Sequence, residues 1–234
     1  MRLAVIPARG GSKRIPGKNI RSFAGRPIIT YSIAAAKASG CFDRIFVSTD
    51  DEAIAGVAQD AGAEVPFLRP PTLADDHTGT ASVVRHAISW AQTAGLEFAQ
   101  TCCLYATAPF VTADSLRRGL TQLERSGSSY AFSVTSFAFP IQRAVRILPN
   151  GRVAAAHPEN ASMRSQDLEE MFHDAGQFYW GRTDAWERDV PLFSEASTPV
   201  VLPRHLVQDI DTPEDWRRAE LMFEALRLAG ELAR

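Results

Sequence analysis

Near its N-terminus the chain reads Leu3-Ala4-Val5-Ile6-Pro7-Ala8-Arg9-Gly10-Gly11-Ser12-Lys13-Arg14-Ile15-Pro16-Gly17-Lys18-Asn19. The apolar run that opens this stretch predicts a buried first strand, and the glycines and prolines that follow predict a loop. Two of the three lysines in the whole chain lie in this basic loop, and no Asp or Glu occurs before Asp43. Backbone N–H groups and cationic side chains with no competing carboxylate favour a bound phosphate chain over a merely solvated loop.

Strands and helices alternate along the sequence around this loop. We predict strands at residues 3–7, 44–48, 65–68, 100–105, 130–135 and 176–181, and helices at 27–39, about 52–58 (capped by Asp50 or Asp51), 80–94, 114–125 and 213–228. Such an alternation is typical of right-handed βαβ units, and it predicts an α/β fold with a doubly wound, mostly parallel sheet. Ligands of such sheets bind beyond the carboxyl ends of the strands, which is where the basic loop begins.

The regular alternation is interrupted between residues 137 and 170. This stretch mixes aromatic residues with Pro140, Pro149, Pro158 and the turn pair Asn150-Gly151, a pattern that predicts a protruding hairpin or arm. The apolar side chains of such an arm need a cover, which a second copy of the chain can provide. We therefore expect a single domain over residues 1–234 with a dimerisation arm inserted at about 137–170.

The overall composition argues against several classes of protein. The net charge of −2, from 27 acidic residues against 25 Lys and Arg, gives no general support for nucleic-acid binding. No run of 18 apolar residues and no apolar leader segment occur, so we expect neither a membrane span nor export. Cys41, Cys102 and Cys103 lack disulfide or metal-ligand spacing, and we expect them to be buried thiols of a soluble protein in the reducing cytoplasm.

Asp209 and Asp211 are a pair of acids whose spacing predicts metal binding. On an extended segment two carboxylates at this spacing point to the same side, where they suit Mg²⁺, a cation that also binds substrate phosphates. The alternative is a helix cap, with Asp211 or Thr212 at the N-cap and Pro213 in the first turn. Capping explains Asp211 but not Asp209, and both interpretations can hold together. The five histidines form no ligand-spaced cluster.

The basic loop lacks both of the common phosphate-binding fingerprints. It has neither the Gly-Lys-Ser/Thr ending of a P-loop nor the GxGxxG spacing that a nicotinamide-dependent protein requires. Its residues 10–19, Gly-Gly-Ser-Lys-Arg-Ile-Pro-Gly-Lys-Asn, resemble instead the signature of the acylneuraminate cytidylyltransferases, nucleotidyltransferases that activate sialic-acid-like sugars. Other stretches that resemble this family are residues 48–55, 69–76, 104–109, 164–168, 176–179 and 209–215.

The resemblance implies a Rossmann-like nucleotidyltransferase fold, a homodimer, and transfer of CMP from CTP to the anomeric hydroxyl of a nonulosonic acid sugar, with release of pyrophosphate. It assigns the nucleotide to Ala8, Arg9, Gly10, Gly11, Ser12, Lys13, Lys18, Asn19, Arg69, Asp76, Thr78 and Thr107. It assigns the sugar to Tyr105, Arg164, Gln177, Phe178 and Tyr179. The residues expected to act in catalysis are Arg9, Lys18, Asp209 and Asp211, the two acids by holding Mg²⁺.

Several of these assignments compete with a plainer interpretation. Arg69 and Arg164 are also compatible with solvated surface arginines. Asp76 and Thr78 also suit a polar turn that caps the next helix, and the aromatic residues of the strand at 176–181 also suit a buried core.

The acceptor sugar is expected to be pseudaminic acid, because residues 64–80 and 174–181 resemble the family members that use it. Tyr105-Ala106 and Glu169 depart from the residues usual in enzymes for N-acetylneuraminate. N-acetylneuraminate and legionaminate remain alternative acceptors. A non-catalytic CTP-binding sensor is the alternative from another class, and the acidic pair argues against it because a binder has little need of a metal-positioning pair.

Overall fold

A six-stranded sheet forms the centre of the part of the chain that the structure, a computed structural model, describes, namely residues 1–75 and 78–232. The strands, including those of two short hairpins, are β1 (Arg2–Pro7), β2 (Ser22–Phe23), β3 (Arg26–Pro27), β4 (Arg44–Ser48), β5 (Gln100–Leu104), β6 (Tyr130–Ser136), β7 (Val145–Ile147), β8 (Val153–Ala155), β9 (Phe172–Arg182) and β10 (Ser197–Val201). The helices are α1 (Ile29–Ser39), α2 (Glu52–Asp60), α3 (Thr80–Thr93), α4 (Ala113–Ser126), α5 (Thr183–Glu187) and α6 (Pro213–Leu228).

The sheet has the strand order β10-β6-β9-β5-β1-β4. Strand β9 is antiparallel to both of its neighbours, and the other three pairs are parallel. The prediction of an α/β fold with a mostly parallel sheet is thereby confirmed. The antiparallel direction of β9 is a consequence of the arm, since the chain leaves the sheet at the end of β6 and returns beside it without a crossover helix.

The hairpin β2–β3 and helix α5 were not predicted, and three further differences concern the segments at or beside the central sheet. Residues 65–68 form no strand, because Pro66 has no N–H to donate to a ladder; isolated bridges join Glu64 to Phe46 and Leu68 to Thr49 on either side of it. Strand β9 begins at Phe172, earlier than predicted, and continues through Gly176, whose positive φ of 61° breaks the strand pattern in the sequence. Strand β10 was not predicted, since it contains Pro199, which an edge strand tolerates.

Both faces of the sheet are buried under helices, which explains the unbroken apolar run of β1. Leu3 and Val5 lie in the cluster beneath α3 and α5, whereas Ile6 lies in the cluster beneath α1, α2 and α4. A third cluster packs α6 on the hairpin β2–β3 and on α1 through aromatic edge-to-face contacts of Phe23, Trp216 and Phe223. This third cluster fixes the start of α6, and with it the acidic segment that precedes that helix.

The stretch between β6 and β9 carries the hairpin β7–β8 and a row of exposed apolar side chains. Phe139 is 83% exposed, Ile147 80% and Val153 67%. A hairpin in this stretch agrees with the prediction of an arm, and its part in dimerisation stays a prediction. Within the described residues, no helix is both long and apolar enough to cross a membrane.

Candidate active site

A cavity of about 660 Å³ opens at the carboxyl ends of β1 and β5. Its lining comes from the end of β1 and the basic loop, from residues 69–75 and 78–83, from the end of β5 and from the segment before α6: Pro7, Arg9, Ser12, Lys13, Arg14, Ile15, Lys18, Asn19, Arg69, Leu73, Asp75, Thr78, Thr80, Val83, Tyr105, Ala106, Thr107 and Asp211. This is the edge of the sheet at which parallel strands present their ligands.

The backbone of the basic loop is fixed from inside the protein. The buried Asn19 donates from Nδ2 to the carbonyl oxygen of Arg9 at 2.8 Å, so the two ends of the loop are joined. The Gly10 N–H donates to Asp50 Oδ1 at 3.0 Å, and a Cβ at Gly10 would lie 2.7 Å from Asp51 Oδ2. Gly10 is therefore required by the close approach of the loop to the start of α2.

Some predicted nucleotide residues support the loop rather than line the cavity. Ala8 is buried and donates its N–H to the carbonyl oxygen of Ser48 at 2.9 Å. Neither Gly10 nor Gly11 belongs to the lining. Their role as nucleotide contacts stays a prediction.

The cationic loop and the acidic segment meet at Asp211. Its carboxylate accepts from Arg14 Nη2 at 2.8 Å and from Lys18 Nζ at 3.3 Å. Lys18 Nζ also donates to the carbonyl oxygen of the fully buried Ile210 at 2.6 Å. Two ends of the chain almost 200 positions apart are thus held together at the mouth of one cavity.

Asp211 is not the residue that caps α6. The N-cap is Thr212, whose hydroxyl accepts from the Asp215 N–H at 3.2 Å, while Asp215 Oδ2 accepts from the Thr212 N–H at 2.8 Å. This reciprocal capping box leaves the Asp211 carboxylate to the loop cations. The cap alternative therefore applies to Thr212, and the interpretation of Asp211 as a metal ligand stays open.

Asp209 does not line the cavity, yet it is electrostatically coupled to Asp211. Desolvation raises the pKa of the Asp209 carboxyl, the Asp211 carboxylate raises it further, and the Lys18 ammonium opposes both effects. No group of three or more His, Cys, Asp or Glu side chains that could hold a metal occurs in the described residues. Two neighbouring carboxylates nevertheless fit Mg²⁺, which completes its shell with water and phosphate oxygens.

Arg69 is a buried cation in the cavity wall rather than a surface arginine. Its Nε donates to Ser48 Oγ at 3.1 Å, and its Nη2 donates to the carbonyl oxygen of the same residue. Burial lowers the pKa of the Arg69 guanidinium, with Arg9 adding to the effect and Asp50 opposing it. Arg9 and Arg69 therefore bring two positive charges to one region, and an anionic ligand would reduce the repulsion between them.

The polar turn before α3 contributes a second wall of the cavity. Asp75 Oδ1 accepts from the Thr78 N–H at 2.6 Å and from Thr78 Oγ1 at 2.7 Å, and both residues belong to the lining. The N-cap of α3 is Gly79, which offers no side chain to cap the helix. The predicted nucleotide residue Asp76 lies outside the described residues.

The residues predicted to contact the sugar fall into two groups. Tyr105 lines the cavity, whereas Gln177, Phe178 and Tyr179 are buried in β9 behind it. Phe178 is 0% exposed on the face covered by α4, as the alternative of a core residue predicts. The Gln177 side chain donates from Nε2 to the carbonyl oxygen of Leu206, on the segment that leads to the acidic pair. Direct contact of these three residues with a sugar stays a prediction.

Arg164 lies on the arm, and it does not belong to the cavity lining of its own chain. Its side chain is 76% exposed and pairs with Asp167, with 3.0 Å between Nε and Oδ2. In a single chain Arg164 is therefore a solvated arm residue. Its contact with the sugar stays a prediction.

Comparison with known proteins decides the family. Residues 3–196 match the family model described as cytidylyltransferase. The chain belongs to the cytidylyltransferase family. The family inferred from the loop Gly10–Asn19 is thus confirmed.

The relatives and structural neighbours of this cytidylyltransferase agree with that assignment. It is 43% identical to the pseudaminic acid cytidylyltransferase of Campylobacter jejuni over 95% of this chain and 96% of that protein. It is 34% identical to the CMP-N,N'-diacetyllegionaminic acid synthase of Legionella pneumophila, over 95% of this chain and 96% of that protein. A CMP-2-keto-3-deoxy-manno-octonic acid synthetase solved with CTP shares its fold, with a TM-score of 0.68 and 17% identity over 96% of this chain and 98% of that chain.

The cavity of the cytidylyltransferase also contains residues that sequence reasoning left out of the site. Arg14 lines it, although it is one of the four cations of the loop. The basic character of the loop was a sufficient signal for Arg14. Thr80 and Val83 carry no such signal, because their place in the lining depends on the packing of the first turn of α3.

Proposed function

We propose that this chain transfers CMP from CTP to the anomeric hydroxyl of pseudaminic acid, a nonulosonic acid, and releases pyrophosphate. The observation that carries the proposal is the convergence of the loop cations and Asp211 on one cavity. The acceptor follows from the 43% identity, over nearly the whole of both chains, to an enzyme named for pseudaminic acid. We also propose that residues 1–234 form one catalytic domain.

The triphosphate is the part of CTP for which the loop is suited. Arg9, Lys13 and Lys18 line the cavity with their cationic side chains, and Arg69 adds a buried guanidinium. Guanidinium and ammonium groups fixed on a rigid loop stabilise the charge that develops on the departing pyrophosphate. Lys18 is anchored at the carbonyl oxygen of Ile210, so its ammonium is already oriented toward the acidic segment.

We propose Asp209 and Asp211 as the residues that hold Mg²⁺. Both side chains supply hard oxygen ligands, and the proposal is supported by the effect of the Asp211 carboxylate, which raises the pKa of Asp209. When bound, the metal supplies charge neutralisation at the phosphates. Arg14 and Lys18 now neutralise Asp211, and both cations are equally suited to phosphate oxygens.

The reaction itself requires little covalent chemistry from the protein. The anomeric hydroxyl oxygen forms a bond to the α-phosphorus of CTP, and the bond from that phosphorus to the β-phosphate oxygen breaks. Pyrophosphate takes the electron pair of the broken bond, and the hydroxyl proton passes to solvent. Positioning of the two substrates and the fixed cations supply the rate enhancement.

We propose that two copies of the chain pair through their arms, so that Arg164 reaches the site of the partner. The support is the row of exposed apolar side chains on the hairpin β7–β8, which a monomer leaves in water. A guanidinium matches the carboxylate of the acceptor sugar in a bidentate geometry.

The proposal is tested by pyrophosphate release from CTP and Mg²⁺ with pseudaminic, N-acetylneuraminic or legionaminic acid as the acceptor. We expect release with pseudaminic acid at a kcat/KM well above that for the other two. Release with another acid alone would keep the reaction and change the acceptor. CTP binding without release with any acid would contradict the proposal and favour a sensor.

A further inference from the structure

The segment between β10 and α6 carries the acidic pair, and side chains from two distant elements hold it by its backbone. Lys18 of the basic loop donates from Nζ to the carbonyl oxygen of Ile210 at 2.6 Å. Gln177 of β9 donates from Nε2 to the carbonyl oxygen of Leu206. These two carbonyl groups are four residues apart in the sequence, and Asp209 lies between them. The backbone that carries the Asp209 carboxylate is therefore held on both sides.

Gln177 is a support that is itself fixed by the sheet. The residue is only 3% exposed, and its own carbonyl oxygen accepts from the Tyr105 N–H at 2.9 Å. This bond joins β9 to the cavity wall at the end of β5. A buried side chain on a central strand is held more precisely than one on a loop, so its amide can hold the segment at a fixed place beside the cavity.

The amide of Gln177 is satisfied on one side alone. Within residues 1–75 and 78–232, its Oε1 atom is buried and has no hydrogen-bond partner. Turning the amide over would place Oε1 against the carbonyl oxygen of Leu206, and two acceptors form no hydrogen bond. A buried acceptor without a partner lowers the stability of the fold. Retention of such a group indicates that the amide serves the site rather than the core.

We propose that Gln177 is a positioning residue for the proposed metal site: its amide holds Leu206, and with it the backbone that presents Asp209 and Asp211. This role differs from the contact with the sugar that the family resemblance implies for Gln177. The inference rests on the proposed function, since it concerns the Mg²⁺ site of that reaction. Because Mg²⁺ demands a nearly ideal octahedral geometry, displacement of a segment that supplies both carboxylates should weaken metal binding.

The test measures Mn²⁺ binding to the nucleotide-free protein by electron paramagnetic resonance, and the KM values for Mg²⁺ and pseudaminic acid by pyrophosphate release. Gln177→Met keeps the length of the side chain and removes the donor. We expect it to raise the Kd for Mn²⁺ and the KM for Mg²⁺ about three- to tenfold, as the loss of one hydrogen bond does. The KM for the sugar should stay within about twofold. Gln177→Asn keeps the amide on a side chain one methylene shorter, and both metal constants should rise in it as well.

Thr135→Val is the matched control. The Thr135 hydroxyl is a buried donor to the carbonyl oxygen of Leu202 at 2.9 Å, four residues before Leu206 on the same segment. Its loss should lower the Tm. The Kd for Mn²⁺ should stay within about twofold, because the Leu202 N–H still donates to the carbonyl oxygen of Val134 at 2.8 Å.

Three outcomes would overturn the inference while the wild type still releases pyrophosphate, so that the proposed function stands. The first is an unchanged Kd for Mn²⁺ in both Gln177 variants, and the second is an equal rise of that Kd in Thr135→Val. The third is a rise in the KM for the sugar alone, which would favour direct contact of Gln177 with the sugar. A wild type that binds no Mn²⁺ and releases no pyrophosphate with any acid would overturn the proposed function and the inference together.

Discussion

At the scale of single residues, Asp211 already pairs with cationic side chains, and a metal bound at its carboxylate would compete with them. Arg14 and Lys18 occupy its two oxygens, and the same cations face the cavity in which the triphosphate is proposed to bind. The acid and the cations therefore neutralise each other in the free chain. On the proposed function, binding of CTP and Mg²⁺ would replace this pairing, because the cations would pair with phosphate oxygens and Asp211 with the metal.

Asp211→Ala should lower the rate of pyrophosphate release at least about 100-fold, as the loss of a group that organises developing charge does. The fold should survive, because Thr212 and not Asp211 caps α6. Glu224→Ala is the control, since Glu224 forms a comparable surface pair with Arg227, with 2.8 Å between the charged atoms. Circular dichroism should be unchanged in both variants. Half or more of the wild-type rate in Asp211→Ala would contradict the assignment.

Asp209 belongs to the same charge cluster, and we expect its ionisation to make the free energy of unfolding depend on pH. Desolvation and Asp211 raise the pKa of its carboxyl, so the folded chain binds this proton more tightly than the unfolded chain does. The ionised form therefore lowers the free energy of unfolding above the raised pKa. The loss disappears as pH falls from that pKa toward the ordinary value of about 3.9.

In metal-free buffer, Asp209→Asn should consequently have a higher Tm than the wild type at pH 7, and the difference should vanish near pH 4. Asp184→Asn provides a control of opposite sign, because the hydrogen bond from Arg182 lowers the pKa of Asp184. That variant should have a lower Tm at pH 7. Thermal unfolding across this pH range gives both curves, and a lower Tm of Asp209→Asn at pH 7 would contradict the account.

At the scale of the elements, the site depends on how closely helix α4 packs on β9. Gly119 is a mid-helix glycine of α4. A Cβ there would lie 2.6 Å from Trp180 Cδ1 and 2.7 Å from Phe178 Cε2. The absence of a side chain at Gly119 thus lets the helix lie directly on β9.

Gly119→Ala should therefore destabilise the protein by about 1–3 kcal/mol, as overpacking of a core does. The same substitution at Gly56, an exposed position of α2 with nothing within 4 Å of the added Cβ, should stabilise it by about 0.5–1 kcal/mol. Urea unfolding of the two variants measures the change in the free energy of unfolding for each, and the two changes should have opposite signs. Equal effects of the two substitutions would contradict the claim that close packing of α4 on β9 leaves no room for a side chain at Gly119.

Most of the elements could be predicted because their periodicity is local. The bounds of β4 and α6 agree with the predicted residues 44–48 and 213–228, and Asp51 caps α2 as one of the two predicted candidates. The parts that could not be predicted depend on partners distant in sequence. The direction of β9 follows from the return of the arm, and β10 pairs along β6 despite its proline.

The site was predictable to the same extent, and for the same reason. The cations of the basic loop all lie within residues 9–18, so a phosphate-binding loop could be predicted from the sequence. These cations line the cavity together with Arg69. The place of Thr80 and Val83 in the lining could not be predicted from the sequence, because it depends on the packing of the first turn of α3.

At the scale of the whole molecule, the arm is the feature that a single chain does not explain. Ile147 and Phe139 are 80% and 83% exposed, and Arg164 does not belong to the lining of the candidate active-site cavity. If the arms pair two copies, wild-type protein should have twice the mass of the 25.6 kDa chain by light scattering. Ile147→Asp should shift that mass toward the monomer. A wild-type monomer at micromolar concentration would contradict the proposed dimer.

Exchange of subunits tests whether Arg164 acts in the partner's site. Arg164→Ala and Asp211→Ala should each be nearly inactive alone. After the two are mixed and allowed to exchange, half of the dimers combine both variants, and each of these has one intact site. Activity should therefore recover to about a quarter of the wild-type value. No recovery, with exchange verified by mass, would place Arg164 outside the partner's site.

The central claim is that a sugar oxygen replaces pyrophosphate on the α-phosphorus of CTP, and phosphorus-31 NMR of the reaction follows that exchange directly. With CTP, Mg²⁺ and pseudaminic acid, the three CTP resonances should give way to one phosphodiester signal and to pyrophosphate in equal amounts. Intact CTP after prolonged incubation, or its conversion to CDP and inorganic phosphate, would contradict the account.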